Sequence, residues 1–287
     1  MHELKQDDYR ELPSEVSVIT DWIGMFSTVR VLVIGDAIVD QYHFGRVERL
    51  SPEAPVPIFI EEITEPRRGG ADNVAHQLEV LGCRVRSIFA NRLSVKHRYF
   101  AGHHQIFRRD ADHWATAEDI EDASKRVAYH INDTDVVVLS DYNKGILTHE
   151  LCQDVIRLGR PVVVDPKGRD WAKYRGASVI CPNSLELAMV DVDAISPAMR
   201  IVEKQGPLGL KVHTARGTQT DNISATAKQV YDVTGAGDVV TALVAASIGV
   251  GASLHDAAII ANHAAGVVVG KLGTAVCTKN ELLESLR

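Results

Sequence analysis

Five consecutive residues, Thr234-Gly235-Ala236-Gly237-Asp238, have the types and order that phosphoryl chemistry needs. Small side chains let the backbone pass close to a ligand. The apolar run that follows, 239–252, places them at a helix start, where free N–H groups and the helix dipole favour an anion. Asp238 then lies in the first helical turn. A carboxylate there suits a general base that takes a proton from an attacking hydroxyl while the N–H groups hold the transferring phosphoryl group. A plain helix N-terminus with an acidic first-turn residue has the same spacing. No Lys-Ser/Thr pair follows the glycines, so this is not a Walker P-loop.

Further candidates lie at strand ends. Gly35-Asp36 closes the apolar run Val31–Ile34, and Asp40 follows it; open α/β sheets bind ligands at such carboxyl ends. Lys144 and Lys167 follow later strands, and Lys96, Arg98, Arg108 and Arg109 sit on an expected hairpin, a set of cations suited to anionic ligands. Asn183 and Glu186 are one helical turn apart. They could face one water-bound Mg²⁺, or simply form a capping box. His97, His103, His104 and His113 lack framing carboxylates and read as exposed hairpin residues. Cys83, Cys152, Cys181 and Cys277 form no C-x-x-C pair and read as buried thiols.

The elements that must position these groups alternate. Strands are expected at 31–34, 85–89, 136–139, 162–164 and 179–180, uniformly apolar apart from 85–89, with helices at 71–81, 117–131, 147–158 and 184–190. That pattern gives a parallel sheet covered on both faces. The stretch 41–68 looks different: alternating, proline-punctuated, and read as short exposed strands, while 95–109 reads as a hairpin turning near Gly102-His103. Weak strands are expected near 208–213 and 228–231, then helices at 236–249, 254–269 and from 279. Residues 1–28 read as a polar, partly helical extension ahead of a single domain over 29–287. The 287 residues carry 31 basic and 38 acidic side chains, net −7, which argues against a nucleic-acid partner. No apolar run reaches the ~20 residues of a membrane span and no leader is visible, so a cytoplasmic protein without a membrane partner is expected.

The octet Tyr231–Asp238 resembles the second signature of the ribokinase-like carbohydrate kinases. Gly69-Gly70-Ala71-Asp72-Asn73 resembles their first, with Asp72 where the family has a small residue, and Asn183-Ser184-Leu185-Glu186 resembles their Asn-x-x-Glu motif. The resemblance implies a three-layer α/β/α fold with a mostly parallel central sheet and a small β lid. It implies Asp238 as base, with Gly235, Ala236 and Gly237 as anion hole. Asp36, Asp40, Gly69, Gly70 and Asn73 would contact the sugar. Asn183 and Glu186 would reach Mg²⁺ through water, and Asn262 and Ala265 would lie near the adenine of ATP. The family's Thr-bearing strand and Gly turn would fall at Thr214 and Gly217.

Arg49–Pro57, Ser140–Gly145, Asp165–Gly168 and Val267–Thr274 resemble, within that family, the heptose 7-phosphate kinases. They imply ATP-dependent phosphorylation of the anomeric hydroxyl of D-glycero-β-D-manno-heptose 7-phosphate, a lipopolysaccharide precursor. Asp141, Lys144 and Arg109 would serve the sugar phosphate and Lys167 the nucleotide, and a homodimer would form through the lid strands. No fused adenylyltransferase domain is expected within the chain. Two stretches are shorter than the family pattern: after Phe89, where a strand–helix unit is missing, and between Asp191 and Lys228. A shortened paralogue that binds sugar phosphate or a partner without turnover, or a kinase for another phosphosugar, are the alternatives.

Overall fold

The central strands of the main sheet are almost wholly apolar because both their faces are covered. In β1 (Arg30–Gly35), Val31 and Val33 point to one face and Leu32 and Ile34 to the other. The same alternation runs through β7 (Val136–Ser140) and β8 (Val162–Asp165), so each strand feeds two separate cores. A computed structural model describes residues 15–191, 196, 198–214, 220–227 and 229–287. In it eight strands run in the order β12-β11-β10-β9-β8-β7-β1-β4. The remaining members are β4 (Arg84–Ile88), β9 (Val179–Ile180), β10 (Ile201–Lys204), β11 (Leu210–His213) and β12 (Thr220–Ile223). Neighbours from β4 to β10 are parallel, and β10, β11 and β12 are antiparallel.

One helical layer holds α1 (Glu15–Met25), α2 (Ala71–Val80), α6 (Ala236–Gly249), α7 (Leu254–Val268) and α8 (Lys279–Ser285). The other holds α3 (Ala117–His130), α4 (His149–Arg157) and α5 (Ser184–Ala188). This is the ribokinase-like three-layer α/β/α arrangement. Ile19 and Ile23 of α1 and the following Phe26 lie fully inside the first core. Among the described residues no helix is long and apolar enough to cross a membrane.

The lid is a second sheet, ordered β3-β2-β5-β6, built from β2 (Ala37–Leu50), β3 (Pro57–Gly70), β5 (Ser94–Ala101) and β6 (His104–Ala111). Here the sequence reading needs correction. The 41–68 stretch is two strands of 14 residues each, and β2 is internal, paired with both β3 and β5. The prolines stay compatible because they fall in the connecting turn and on the edge strand β3. Gln229–Tyr231 is not a strand, whereas β10 and β12 are strands the sequence reading did not anticipate. Both are only four residues long and pair beside an antiparallel edge, too short for a periodic signal.

A chain of side chains crosses the outer lid face, one from each strand. Arg109 Nη2 lies 2.8 Å from His97 Nε2, His97 Nδ1 2.9 Å from His43 Nε2, and His43 Nδ1 2.6 Å from Glu61 Oε2. Arginine can only donate, which makes His97 Nε2 an acceptor and both imidazoles neutral, each passing its single N–H toward Glu61.

Candidate active site

Asp238 sits in the first turn of α6, 5% exposed, at the floor of a cavity of about 750 Å³. The turn before it is held from behind: Asp232 accepts from the N–H groups of Thr234 and Gly273, both at 2.9 Å. Gly235 caps the helix at φ 81°, and a Cβ there would come 2.8 Å from Asn73 Nδ2. Only glycine meets both demands. Asn73, in the first turn of α2, donates to Asp238 Oδ2 at 2.8 Å, and the Tyr142 hydroxyl donates to Oδ1 at 2.5 Å. Burial, then the neighbouring Asp165 carboxylate, push the Asp238 carboxyl up to about 6, against the hydrogen bonds from Tyr142 and Asn73 and the charge of Lys204. The carboxyl is thus poised to be ionised at neutral pH while remaining a competent base.

The cavity opens at the carboxyl ends of β7 to β10. Gly235, Ala236 and Gly237 line it, and so do Lys167, Asn183, Glu186, Asn262 and Ala265. Two residues the sequence reading did not single out stand at its centre. Lys204 Nζ lies 2.6 Å from Asp165 Oδ1, and a Cβ on Gly237 would be 3.4 Å from that ammonium, so a buried cation adjoins the helix start. Among the described residues, the strand and glycine turn that line this side are β10 with Gly206 and Gly209. Thr214 is outside the lining, and Gly217 lies outside the described residues. The Gly206-Pro207 turn signal after Ile201-Val202-Glu203-Lys204 is the clue the sequence contained. Ala225–Ala227, Gly266 and Val269 also line the cavity, so described residues of the shortened segment contribute to its wall.

Asn183 and Glu186 do form a capping box: Asn183 Oδ1 accepts from the Glu186 N–H at 2.8 Å and Glu186 Oε2 from the Asn183 N–H at 3.0 Å. Glu186 Oε1 meets Lys167 Nζ at 2.7 Å. The capping-box alternative therefore holds, and the capped turn also lines the cavity. Among the described residues no cluster of three or more His, Cys, Asp or Glu could ligate a metal directly. One carboxylate beside an amide fits Mg²⁺, which keeps several waters and takes its other ligands from phosphates.

On the far side of Asp238 lies the inner face of the lid. Asp40 and Arg98 pair at 2.7 Å, both buried, and burial raises the Asp40 carboxyl despite Arg98. Lys96 and Arg108 share that face through the registers Asp40↔Lys96 and Arg98↔Arg108. Lys96 lies over the Tyr142 ring, 5.1 Å from its centroid. Gly69 and Gly70 pair with Ile38 and Ala37 where β3 turns into α2, and a Cβ on Gly69 would come 2.3 Å from Asp40 Oδ2.

Four expected ligand residues have partners within the protein, though Asp141 also lines the cavity. Asp36 Oδ2 accepts from the N–H groups of Tyr142 and Lys144, so it anchors a loop. Asp141 Oδ2 meets Tyr174 Oη and Lys173 Nζ, both at 2.5 Å. Lys144 pairs with Asp112 at 2.7 Å and covers Trp114. Arg109 points outward to His97, because alternate residues of a strand face opposite ways and Arg108 holds the inner position.

Comparison with known proteins agrees with this geometry. The pfkB family carbohydrate kinase profile matches residues 106–281. The bifunctional protein HldE of Methylobacillus flagellatus is 37% identical over 311 aligned positions, covering 90% of this chain and 63% of that protein. The alignment is longer than the chain itself, so part of the relative has no counterpart here, as the shortened stretches imply. The chain spans less than two thirds of that relative. Among solved structures, phosphofructokinase-2 from Escherichia coli in complex with potassium superposes with TM-score 0.69 at 14% identity, covering 90% of this chain and 97% of that one. Arabidopsis thaliana ribokinase complexed with ribose and ATP gives 0.65 at 18%, covering 90% and 98%.

Proposed function

Because the chain belongs to the pfkB family of carbohydrate kinases, phosphotransferases with a hydroxyl acceptor, we propose that it phosphorylates the anomeric hydroxyl of D-glycero-β-D-manno-heptose 7-phosphate. ATP with Mg²⁺ would supply the phosphoryl group and the charge neutralisation at its oxygens. The observation that carries the reading is the place of Asp238, between the large cavity and the cationic inner face of the lid.

The division of labour follows from that place. Lys96, Arg98 and Arg108 offer a phosphosugar three cations against two carboxylates, Asp40 and Asp110, and Lys96 is in no ion pair among the described residues. Burial lowers the Lys96 ammonium from its usual value, a cost that a phosphate would relieve. Asp40 beside Gly69 and Asn73 beside Asp238 would orient the sugar hydroxyls. Asp238 takes the proton of the attacking hydroxyl. The N–H groups of the α6 start, with Lys204, hold the negative charge of the group in transfer, the usual source of catalysis in such reactions. Lys167, Asn183 and Glu186 would face the phosphates and their water-bound Mg²⁺, and the wall formed by Asn262, Ala265 and Gly266 the adenine.

The test is ADP release from Mg²⁺-ATP with heptose 7-phosphate as acceptor. Turnover is expected for the native chain and a loss of at least 10²-fold for Asp238→Asn. A well-folded protein without sugar-dependent ADP release would overturn the kinase assignment and favour a binding-only paralogue. Faster turnover with another phosphosugar would overturn the substrate.

A further inference from the structure

We infer that Tyr142 is a positioning residue for the base: its hydroxyl keeps the Asp238 carboxylate ionised and aimed at the acceptor hydroxyl. The inference rests on Asp238 being that base. It starts from the way the loop after β7 is tied down. Asp36 Oδ2 accepts from the N–H groups of Tyr142 and Lys144, both at 2.9 Å, and Asp141 Oδ1 accepts from the Asn143 N–H at 2.6 Å. Asn143 sits at φ 57°, the one non-glycine residue with positive φ among those described. A left-handed conformation at a residue with a Cβ is uncommon and persists only where its surroundings impose it. Two buried carboxylates and one strained residue therefore set the direction of a single ring.

That ring ends on Asp238 Oδ1 at 2.5 Å, the length of a charge-assisted O–H···O⁻ bond. Burial, then the Asp238 charge, raise the Tyr142 phenol well above its usual range, so throughout the neutral region it acts only as a donor. The groups facing this pair come from every side: Asp165 from β8, Lys204 from β10, Asn73 from α2, and Lys96 and Asp40 from the lid. Burial and Asp165 favour the protonated base. Tyr142, Asn73 and Lys204 oppose them. Oδ1 has a second lone pair, so an acceptor hydroxyl can bind there without displacing Tyr142. Lys96 on the ring face links the phosphate-facing side of the lid to the same hydroxyl.

The experiment is the pH dependence of kcat/KM for the native chain, Tyr142→Phe and Asp238→Asn. Phenylalanine keeps the ring under Lys96 and removes only the hydroxyl. Losing a hydrogen bond to a charged group should move the acid limb of Tyr142→Phe upward by about one pH unit or more. The variant then loses roughly fivefold at pH 6, approaching tenfold at lower pH, and little at pH 8.5. A structural defect would lower the rate equally at all pH values, and that result, or an unmoved limb, overturns the inference. Infrared titration of the Asp238 carboxylate, native minus Asp238→Asn, gives the same comparison without turnover. Coincident titrations with and without the Tyr142 hydroxyl overturn it as well. Undiminished turnover in Asp238→Asn would instead sink the base assignment, while the infrared shift would still report on Tyr142.

Discussion

At the residue scale the site is a set of buried charges that hold one another in place. Lys204 and Asp165 form one such case, an ion pair at 2.6 Å between side chains 13% and 11% exposed. Removing one partner of such a pair leaves an uncompensated buried charge. Lys204→Met should therefore cost about 3–5 kcal/mol in urea unfolding, and the double variant with Asp165→Asn should recover most of it. Turnover should not return in the double variant, because the cation beside the helix start is still missing. Gly235→Ala tests the turn. Its Cβ would meet the Asn73 amide at 2.8 Å in a φ of 81°, so loss of activity is expected beyond any loss of stability.

At the scale of the element, strand alternation decides which lid cations face the site. Arg108 and Arg109 are adjacent in sequence but opposite in space. Arg108→Gln should raise KM for the sugar phosphate about tenfold or more, whereas Arg109→Gln should leave KM unchanged, as steady-state kinetics will show. Arg109 instead ends the imidazole chain on the outer face. Burial, then Arg109 and His43, hold the His97 imidazole below its usual pKa, so folding favours the neutral ring. The stability this contributes is complete above the unfolded pKa of about 6.5 and is lost as pH falls below it. Melting temperatures between pH 8 and 5 should fall more steeply for the native chain than for His97→Gln. Equal slopes would show that the chain does not couple to lid stability.

At the scale of the molecule, the core extends beyond the alternating β/α units. Ile19, Ile23 and Phe26 are buried in the same core that α2, α6 and α7 share, so a chain starting at residue 29 should be markedly less stable. The lid is the opposite case. Leu50, Val56, Ile63, Ile106 and Phe107 are all at least 40% exposed on it, and β3 and β6 are unpaired edges. Exposed apolar side chains beside open edges favour pairing with another chain. This supports the proposal of a homodimer through the lids. Light scattering should give twice the 31.4 kDa chain mass, and Phe107→Lys should shift it toward the monomer.

Much of this was legible in the residues alone. Uniformly apolar runs such as Val136-Val137-Val138-Leu139 report a doubly covered strand, because burial on both faces leaves no polar position. Thr234–Asp238 reads as a helix start with a first-turn carboxylate that suits an anion, because the requirements are local: small residues, a helix start and one carboxylate. The long-range partners were not legible. Asp36, Asp141 and Lys144 have the right types at the right strand ends, yet their hydrogen bonds go to a loop, to Lys173 and Tyr174, and to Asp112. Arg108 rather than Arg109 faces the site through a register that pairing sets. Lys204, Asp165 and Tyr142 meet Asp238 from three separate segments. The sequence by itself determined the layers and the glycine turn that starts α6, since those follow from periodicity and local backbone demands. Only the tertiary structure decided which charges confront Asp238, because that depends on distances between residues far apart in the chain.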